Sequence, residues 1–181
     1  MPRPGYRWRF VTIGTLNSWL PGDERGWRSR KHRRHSSGDY RHPPPPGEHR
    51  GLLEYCRQRS GAPLFIPEPL RERLGVPFLK TLLEQRIRVL GIAVAAYHAH
   101  ILAELPDLKR LAQDVIGNAK RDSSRAVRKE MPGRLWAGGG RFDPVDTREH
   151  LLNALLYILR HREEGAWVWW FREPVPQLAS I

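Results

Sequence analysis

The sequence predicts an α+β fold in which an antiparallel sheet carries helices on one face. Short runs rich in β-branched and aromatic residues indicate strands, and apolar residues at helical spacing between them indicate helices. Along the 181-residue chain the order is β, α, β, β, α, β, α, which is a split βαβ, or ferredoxin-like, arrangement. The order of the strands within the sheet cannot be read from this pattern.

The first half of the chain contains three predicted strands and one helix. The run RWRFVTIGT at residues 7–15 is aromatic and β-branched, which favours extended backbone. Leucines near helical spacing predict a helix over residues 68–85, with a break or kink at residues 75–77 because of the proline there. IRVLGIAVAA and HAHILAEL then predict two strands that turn around Ala96 and Tyr97.

The second half is predicted to contain two more helices and short strands. Asp107 is expected to cap a helix that runs through LKRLAQDVIGNAKRDSSRAVRKE to the MPG at residues 131–133. RLWAGGGRFDPV indicates a short strand, and AWVWWF a last strand or packing segment. Asp146 and Glu149 have capping-box spacing at the start of a helix in DTREHLLNALLYILRHREEG, expected to close near Gly165. The buried stripe predicted for the first of these helices consists of Leu108, Leu111, Ala112, Val115, Ile116 and Ala119.

The composition changes from about residue 21 to residue 62. This segment is dense in Pro, Gly, Arg and His and lacks apolar periodicity, so we predict a long irregular insertion within a single domain over residues 1–181. The lone Cys56 has no cysteine partner for a disulfide or a metal site, which favours a reduced compartment. A cytoplasmic location is expected, because the longest apolar run is too short to span a membrane and polar residues interrupt any signal-peptide core near the N-terminus.

The chain is strongly basic. It has 31 Lys and Arg against 19 Asp and Glu, a formal net charge of +12, which favours a polyanionic partner. Nucleic acid is the first expectation and an anionic membrane surface the second. The longest apolar run, VLGIAVAAY, is much shorter than the ~20 residues of a membrane span, so no membrane-spanning segment is expected.

Part of this charge is concentrated in the insertion. Residues 25–34 hold six Lys or Arg and no acid, with a tryptophan among them, so charges for phosphates lie beside a ring on which a base could stack. A solvated loop is the alternative interpretation. With two basic residues of the second predicted helix, the predicted DNA contacts are Arg25, Trp27, Arg28, Arg30, Lys31, Arg33, Arg34, Lys120 and Arg121.

Two histidines lie two residues apart in the strand HAHILAEL. Residues i and i+2 of a strand point to the same face, so His98 and His100 project together, about 7 Å apart at their Cα atoms. Imidazoles at this spacing can converge on one metal ion. The alternative is a pair of histidines packed against a helix and hydrogen-bonded to backbone.

The last predicted helix carries a tyrosine that does not project with its leucines. At 100° per residue, the leucines and Ile158 occupy an arc from about 80° to 240° measured from His150. Ala154, Tyr157 and His161 lie within about 40° of the starting direction. A tyrosine that packs in the core should lie with the leucines, whereas Tyr157 shares a stripe with two histidines. A surface tyrosine is the alternative.

The order of these motifs resembles the HUH single-tyrosine transposases, in particular the REP-associated tyrosine transposase group. The resemblance runs from about residue 6 to residue 170 and includes TIGTLNSWLPGDERGW, AYHAHI, RLWAGGG and LLYILRHREEGAW. The family usually has Asp or Asn where this chain has Tyr97, and Val where it has Ala99. Its HUH motif, a hydrophobic residue between two histidines, is present at residues 98–100.

The resemblance implies a metal-dependent transesterase or transposase that cleaves and rejoins single-stranded or hairpin DNA ends through a 5′-phosphotyrosine. It implies Tyr157 as the nucleophile and His98 and His100 as ligands of Mg²⁺ or Mn²⁺, and His161 occupies the position, often Gln or Asn, that completes the metal site. Imidazoles favour Mn²⁺ or later metals over Mg²⁺.

Family members often work as dimers and some as monomers, so a homodimer is a further expectation. Two other functional classes stay open. One is a domesticated nucleic-acid-binding protein of the same fold that does not cut, and the other is a zinc protein that uses His98 and His100 for structure or hydrolysis.

Overall fold

The protein is an α+β structure built on one five-stranded antiparallel sheet. The computed structural model describes residues 1–27, 35–37 and 42–176. Within these residues the elements are β1 (Tyr6–Gly14), α1 (Arg50–Ser60), α2 (Glu68–Glu84), β2 (Arg88–Val94), β3 (His98–Pro106), α3 (Lys109–Ala126), β4 (Arg141–Pro144), α4 (Arg148–Arg160) and β5 (Trp167–Trp170).

The strands are arranged in the order β4-β1-β3-β2-β5. β3 is antiparallel to both β1 and β2, so β1 and β2 run parallel on either side of it and are joined through α2. β4 pairs antiparallel with β1, and β5 extends the sheet beyond β2. This is the predicted split βαβ arrangement, which confirms the fold class.

Helices lie on both faces of the sheet. Residues of α2 and α3 pack with strand residues such as Ile92 and Ile101 in one core. Ala154 and Ile158 of α4 pack with Leu102 in a second core, and Leu102 follows Ile101 on β3 and points to the opposite face. The prediction of helices on one face therefore holds for α2 and α3, whereas α4 lies on the other side, here called the α4 face.

Two helices of the N-terminal half differ from the sequence prediction. The segment predicted to be irregular contains α1, whose two leucines and cysteine are half buried. α2 continues through Pro77 without the predicted break. Leu74 and Leu82, on either side of the proline, are both fully buried, so packing holds the helix together where one backbone hydrogen bond is missing.

The N-terminal caps of α3 and α4 also differ from the prediction. Asp107 does not cap α3, because pairing of β1 with β3 brings Arg7 to its carboxylate, and Leu108 occupies the cap position. α4 is capped by the Thr147 hydroxyl, which accepts a hydrogen bond from the His150 backbone N–H at 3.1 Å. The predicted capping box of Asp146 and Glu149 is therefore wrong, because the cap is Thr147 and the residue three positions later is His150.

The buried stripe of α3 has one large side chain, Ile116, among small ones. Ala112, Ile116 and Ala119 are buried as predicted, whereas Leu108 and Leu111 are exposed. The helix ends at Ala126, before the MPG that was predicted to stop it. None of the helices in the described residues is long and apolar enough to cross a membrane.

A buried carboxylate, that of Glu104, lies near the C-terminal end of β3. The Glu104 side chain is fully buried and accepts hydrogen bonds from Arg88 Nε at 2.7 Å and Arg3 Nε at 2.6 Å. The bond from Arg88, together with those from Arg3, lowers the pKa of this carboxyl to about 2. Through the bonds of Arg3 to Glu104, the N-terminal residues are linked to the central strand β3.

We expect Glu104→Gln to destabilise the protein at neutral pH, with a smaller effect in acid. The folded-state pKa lies below the ordinary value of 4.5, so the stabilisation is complete above about pH 4.5 and is lost as the pH falls toward 2. Urea unfolding should give a free-energy difference from wild type of about 1–3 kcal/mol at pH 7 and a smaller one at pH 3. A difference independent of pH would contradict this role.

Candidate metal and tyrosine site

Three histidines from two elements meet on the α4 face. His98 and His100 lie at the start of β3 and share the face of Leu102, and His161 directly follows the last residue of α4. One nitrogen from each imidazole lies within 4.8 Å of the other two. The ring centroids are 4.6 Å apart for His98 and His100, 4.9 Å for His100 and His161, and 5.3 Å for His98 and His161. These three side chains could hold a metal ion.

The packing of α4 on the sheet brings His161 to His98 and His100. Ala154, Ile158 and His161 follow each other at spacings of four and three residues, and all three are buried. Beneath them β2 carries Gly91, where an added Cβ would lie 3.0 Å from the Leu155 Cδ1 atom. The absence of a side chain at Gly91 therefore lets α4 lie close to the sheet.

Tyr157 borders the same cluster. Its ring is edge-on to His100 at 5.2 Å and to His161 at 4.9 Å between centroids, and it meets Phe10 of β1 at 5.8 Å. The residue is 46% exposed, so a ligand can reach a ring that is held by three neighbours. The tyrosine and the three histidines all belong to one chain.

Two imidazoles are hydrogen-bonded through Nδ1. The His100 Nδ1 and Thr12 Oγ1 atoms are 3.1 Å apart, and the His161 Nδ1 and Glu164 Oε2 atoms are 2.8 Å apart. The other nitrogen of His161, Nε2, is buried and has no hydrogen-bond partner among the described residues. Because an unpaired buried nitrogen costs about 1–3 kcal/mol, its position at the cluster fits a metal ligand.

Two of the three imidazoles are kept in the form that binds metal. Burial, with His161 nearby, lowers the pKa of His98 to about 4. Burial, with His98 and His161 nearby, lowers the pKa of His100 to about 2. Both rings are therefore neutral near pH 7, with a lone pair for a cation. A donor set of three imidazole nitrogens suits Mn²⁺, Zn²⁺ and their neighbours better than Mg²⁺.

Of the predicted DNA contacts in the insertion, Arg25 is near enough for its charge to contribute to the lowered pKa of His98. Its guanidinium lies over the Trp19 ring at 4.7 Å and pairs with Asp23. Trp27 is half buried and edge-on to the His49 ring at 5.3 Å. The other predicted contacts in this segment lie outside the described residues: Arg28, Arg30, Lys31, Arg33 and Arg34.

The two predicted contacts on α3 lie away from the histidines, because α3 packs on the opposite face of the sheet. Lys120 Nζ donates to the carbonyl oxygens of Ala137 at 2.6 Å and Gly139 at 2.9 Å. Burial lowers the pKa of this amine to about 8. Arg121 donates to the Asn118 side chain. Lys120 thus fastens the glycine-rich loop, and neither residue is brought to the cluster.

Three residues at the site were missed from the sequence. Phe10 stacks on the His100 ring, with centroids 5.1 Å apart, and Thr12 and Glu164 bond the imidazoles. The first two reach the site because Thr12 pairs with His100 across β1 and β3, a long-range register with no local signal. For Glu164 the sequence did contain a signal, because a residue three positions after His161 can contact it on one side of a helical turn.

Comparison with known proteins gives one similar structure. No protein-family model matches the sequence, and no curated protein matches it. Among solved structures, the chain is similar to a REP-associated tyrosine transposase bound to a REP hairpin, with a TM-score of 0.47 and 12% sequence identity over 91% of this chain and 70% of that one. The interpretation of the site therefore depends on its own residues.

We expect His161→Ala to weaken binding of Mn²⁺ at least about tenfold, because it removes one of three nitrogen donors. Isothermal titration calorimetry on the purified protein measures this affinity. The matched control is His150→Ala, which removes an exposed histidine from the first turn of the same helix and should leave the affinity unchanged. Equal affinities for His161→Ala and wild type would contradict the assignment of His161 to the metal site.

Proposed function

We propose that the protein is a metal-dependent DNA transesterase of the HUH single-tyrosine class, which cleaves and rejoins single-stranded or hairpin DNA ends. The observation that carries this proposal is the contact of the half-exposed Tyr157 ring with His100 and His161, two of three clustered imidazoles. A nucleophile beside a cation-binding donor set is an arrangement suited to metal-assisted transesterification of a phosphodiester. The formal charge of +12 supports a polyanionic substrate.

The proposed reaction exchanges one phosphate ester for another. The Tyr157 oxygen attacks the scissile phosphorus and forms a bond to it, while the bond from phosphorus to the 3′ oxygen breaks. The phenol loses one proton and the departing 3′ oxygen gains one, so no net proton is consumed or released. The products are a 5′-phosphotyrosine and a free 3′ hydroxyl, which can attack the same linkage and rejoin the strand. The energy of the broken phosphate ester is conserved in the phosphotyrosine bond, so the reaction needs no nucleoside triphosphate.

Other residues of the chain would orient the phenol, hold the metal ion and contact the DNA. Phe10 contacts both the Tyr157 and His100 rings and so restricts the direction of the phenol. His98, His100 and His161 would hold a divalent ion, which when bound supplies positive charge at the phosphate and at the departing 3′ oxygen. Arg25 is the predicted DNA contact on the His98 side. We propose Mn²⁺ or Mg²⁺ as the ion, with the imidazoles favouring Mn²⁺.

In the proposed mechanism the nucleophile and the metal ligands come from one subunit. The supporting observation is that the Tyr157 ring contacts His100 and His161 of its own chain. A homodimer, if formed, would hold two DNA ends for exchange. A cytoplasmic location, where the proposed DNA substrate is found, belongs to the same proposal.

One observation favours a second candidate, a zinc protein. Three clustered imidazoles form a donor set typical of zinc sites. If zinc served the fold, a chelator would lower the melting temperature of the purified protein strongly, whereas the transesterase should keep its fold without metal. The same measurement therefore separates a structural ion from a catalytic one.

We expect wild-type protein incubated with single-stranded hairpin DNA and Mn²⁺ to give a protein–DNA adduct that survives denaturation, and Tyr157→Phe to give none. The change removes one oxygen from a half-exposed side chain, so folding should be retained. Gel electrophoresis with end-labelled DNA detects the adduct. The control is Tyr97→Phe, an exposed tyrosine next to His98, which should form the adduct normally.

The same assay separates the proposal from a non-cleaving nucleic-acid-binding protein. Salt-sensitive DNA binding without an adduct in the wild type would favour the binder. An adduct that persists in Tyr157→Phe would place the nucleophile on another residue.

A further inference from the structure

Two side chains outside the group of three histidines lie beside imidazole nitrogens of that group. Thr12 lies directly opposite His100 in the antiparallel pairing of β1 with β3, and its Oγ1 is 3.1 Å from His100 Nδ1. Glu164 lies in the turn after α4, where its backbone N–H donates to the carbonyl of His161 and its Oε2 lies 2.8 Å from His161 Nδ1. Each partner is therefore held by backbone hydrogen bonds.

A neutral imidazole carries one N–H and one lone pair, so a partner at one nitrogen decides the role of the other. A carboxylate can only accept, and beside Nδ1 it requires the proton of His161 to be there. This leaves the lone pair on Nε2, the buried nitrogen that has no hydrogen-bond partner among the described residues. A hydroxyl that accepts from His100 Nδ1 has the same effect on that ring.

We propose that Thr12 and Glu164 are positioning residues of the candidate metal site. They hold the proton of His100 and His161 on Nδ1 and so present both Nε2 atoms to one divalent ion. The inference rests on the metal site of the proposed function and adds the two residues that prepare it. Partners of this kind typically change metal affinity 10- to 100-fold.

The two partners should differ in strength. The Thr12 hydroxyl is part-buried, whereas the Glu164 side chain is 68% exposed, so water and salt screen the carboxylate. The contribution of Thr12 to metal affinity should therefore be insensitive to ionic strength. The contribution of Glu164 to metal affinity should become smaller as the salt concentration rises.

The test combines two matched pairs of variants with two measurements on the whole protein. Thr12→Val removes the hydroxyl and keeps the side-chain shape, while Thr12→Ser keeps the hydroxyl. Glu164→Ala removes the carboxylate, while Glu163→Ala removes an exposed one from the same turn. Calorimetry with Mn²⁺ gives the affinity, and ¹⁵N NMR of the metal-free histidine side chains gives the tautomer of each ring.

We expect the wild type to have Nδ1–H tautomers at His100 and His161. Thr12→Val and Glu164→Ala should each lose about tenfold or more in Mn²⁺ affinity and show mixed tautomers at the affected ring. Thr12→Ser and Glu163→Ala should remain within about twofold of wild type. A merely structural role would lower the melting temperature of the metal-free variants without altering the tautomers.

The proposal is overturned if the wild type has Nε2–H tautomers, if it binds no Mn²⁺, or if Thr12→Val and Glu164→Ala bind as tightly as their controls. DNA cleavage is a separate readout. A protein that shows the expected tautomers and affinities but forms no adduct with DNA would support these positioning roles and contradict the proposed function.

Discussion

The packing of α4 against the sheet is the contact on which the candidate site depends. Ala154 and Ile158 are buried against the α4 face, and Gly91 beneath them leaves room for close approach. Once these residues are seated, the helical repeat brings Tyr157 and His161 to the paired histidines of β3. Rotation of the helix by one residue, 100°, would turn the phenol or the imidazole away from them.

Local periodicity predicted much of this arrangement. The two-residue repeat of a strand puts His98 and His100 on one face, and the structure has both rings there. The four-residue step from Tyr157 to His161 likewise brings two side chains together on a helix, and their rings are 4.9 Å apart. Such relations follow from backbone geometry alone, so a single sequence contains them.

Relations between distant segments were not readable in the same way. The leucine arc of α4 predicted its buried face, but Leu152 and Leu156 are half exposed, because the contact with the sheet is centred on Ala154 and Ile158. The register that sets Thr12 beside His100 depends on how two strands 88 residues apart pair. The predicted cap of α3 failed for a similar reason, because Asp107 forms an ion pair with Arg7 at the same interface between β1 and β3.

Two of the three clustered imidazoles are neutral within a basic chain, since burial lowers the pKa of His98 and His100 while the chain as a whole carries +12. The proposed charge of the cluster would come from a bound ion. Anomalous X-ray diffraction from crystals grown with Mn²⁺ tests this most directly. The account predicts one strong peak bonded to nitrogens of His98, His100 and His161, next to the Tyr157 ring. A peak elsewhere, with these three imidazoles free of metal, would contradict it.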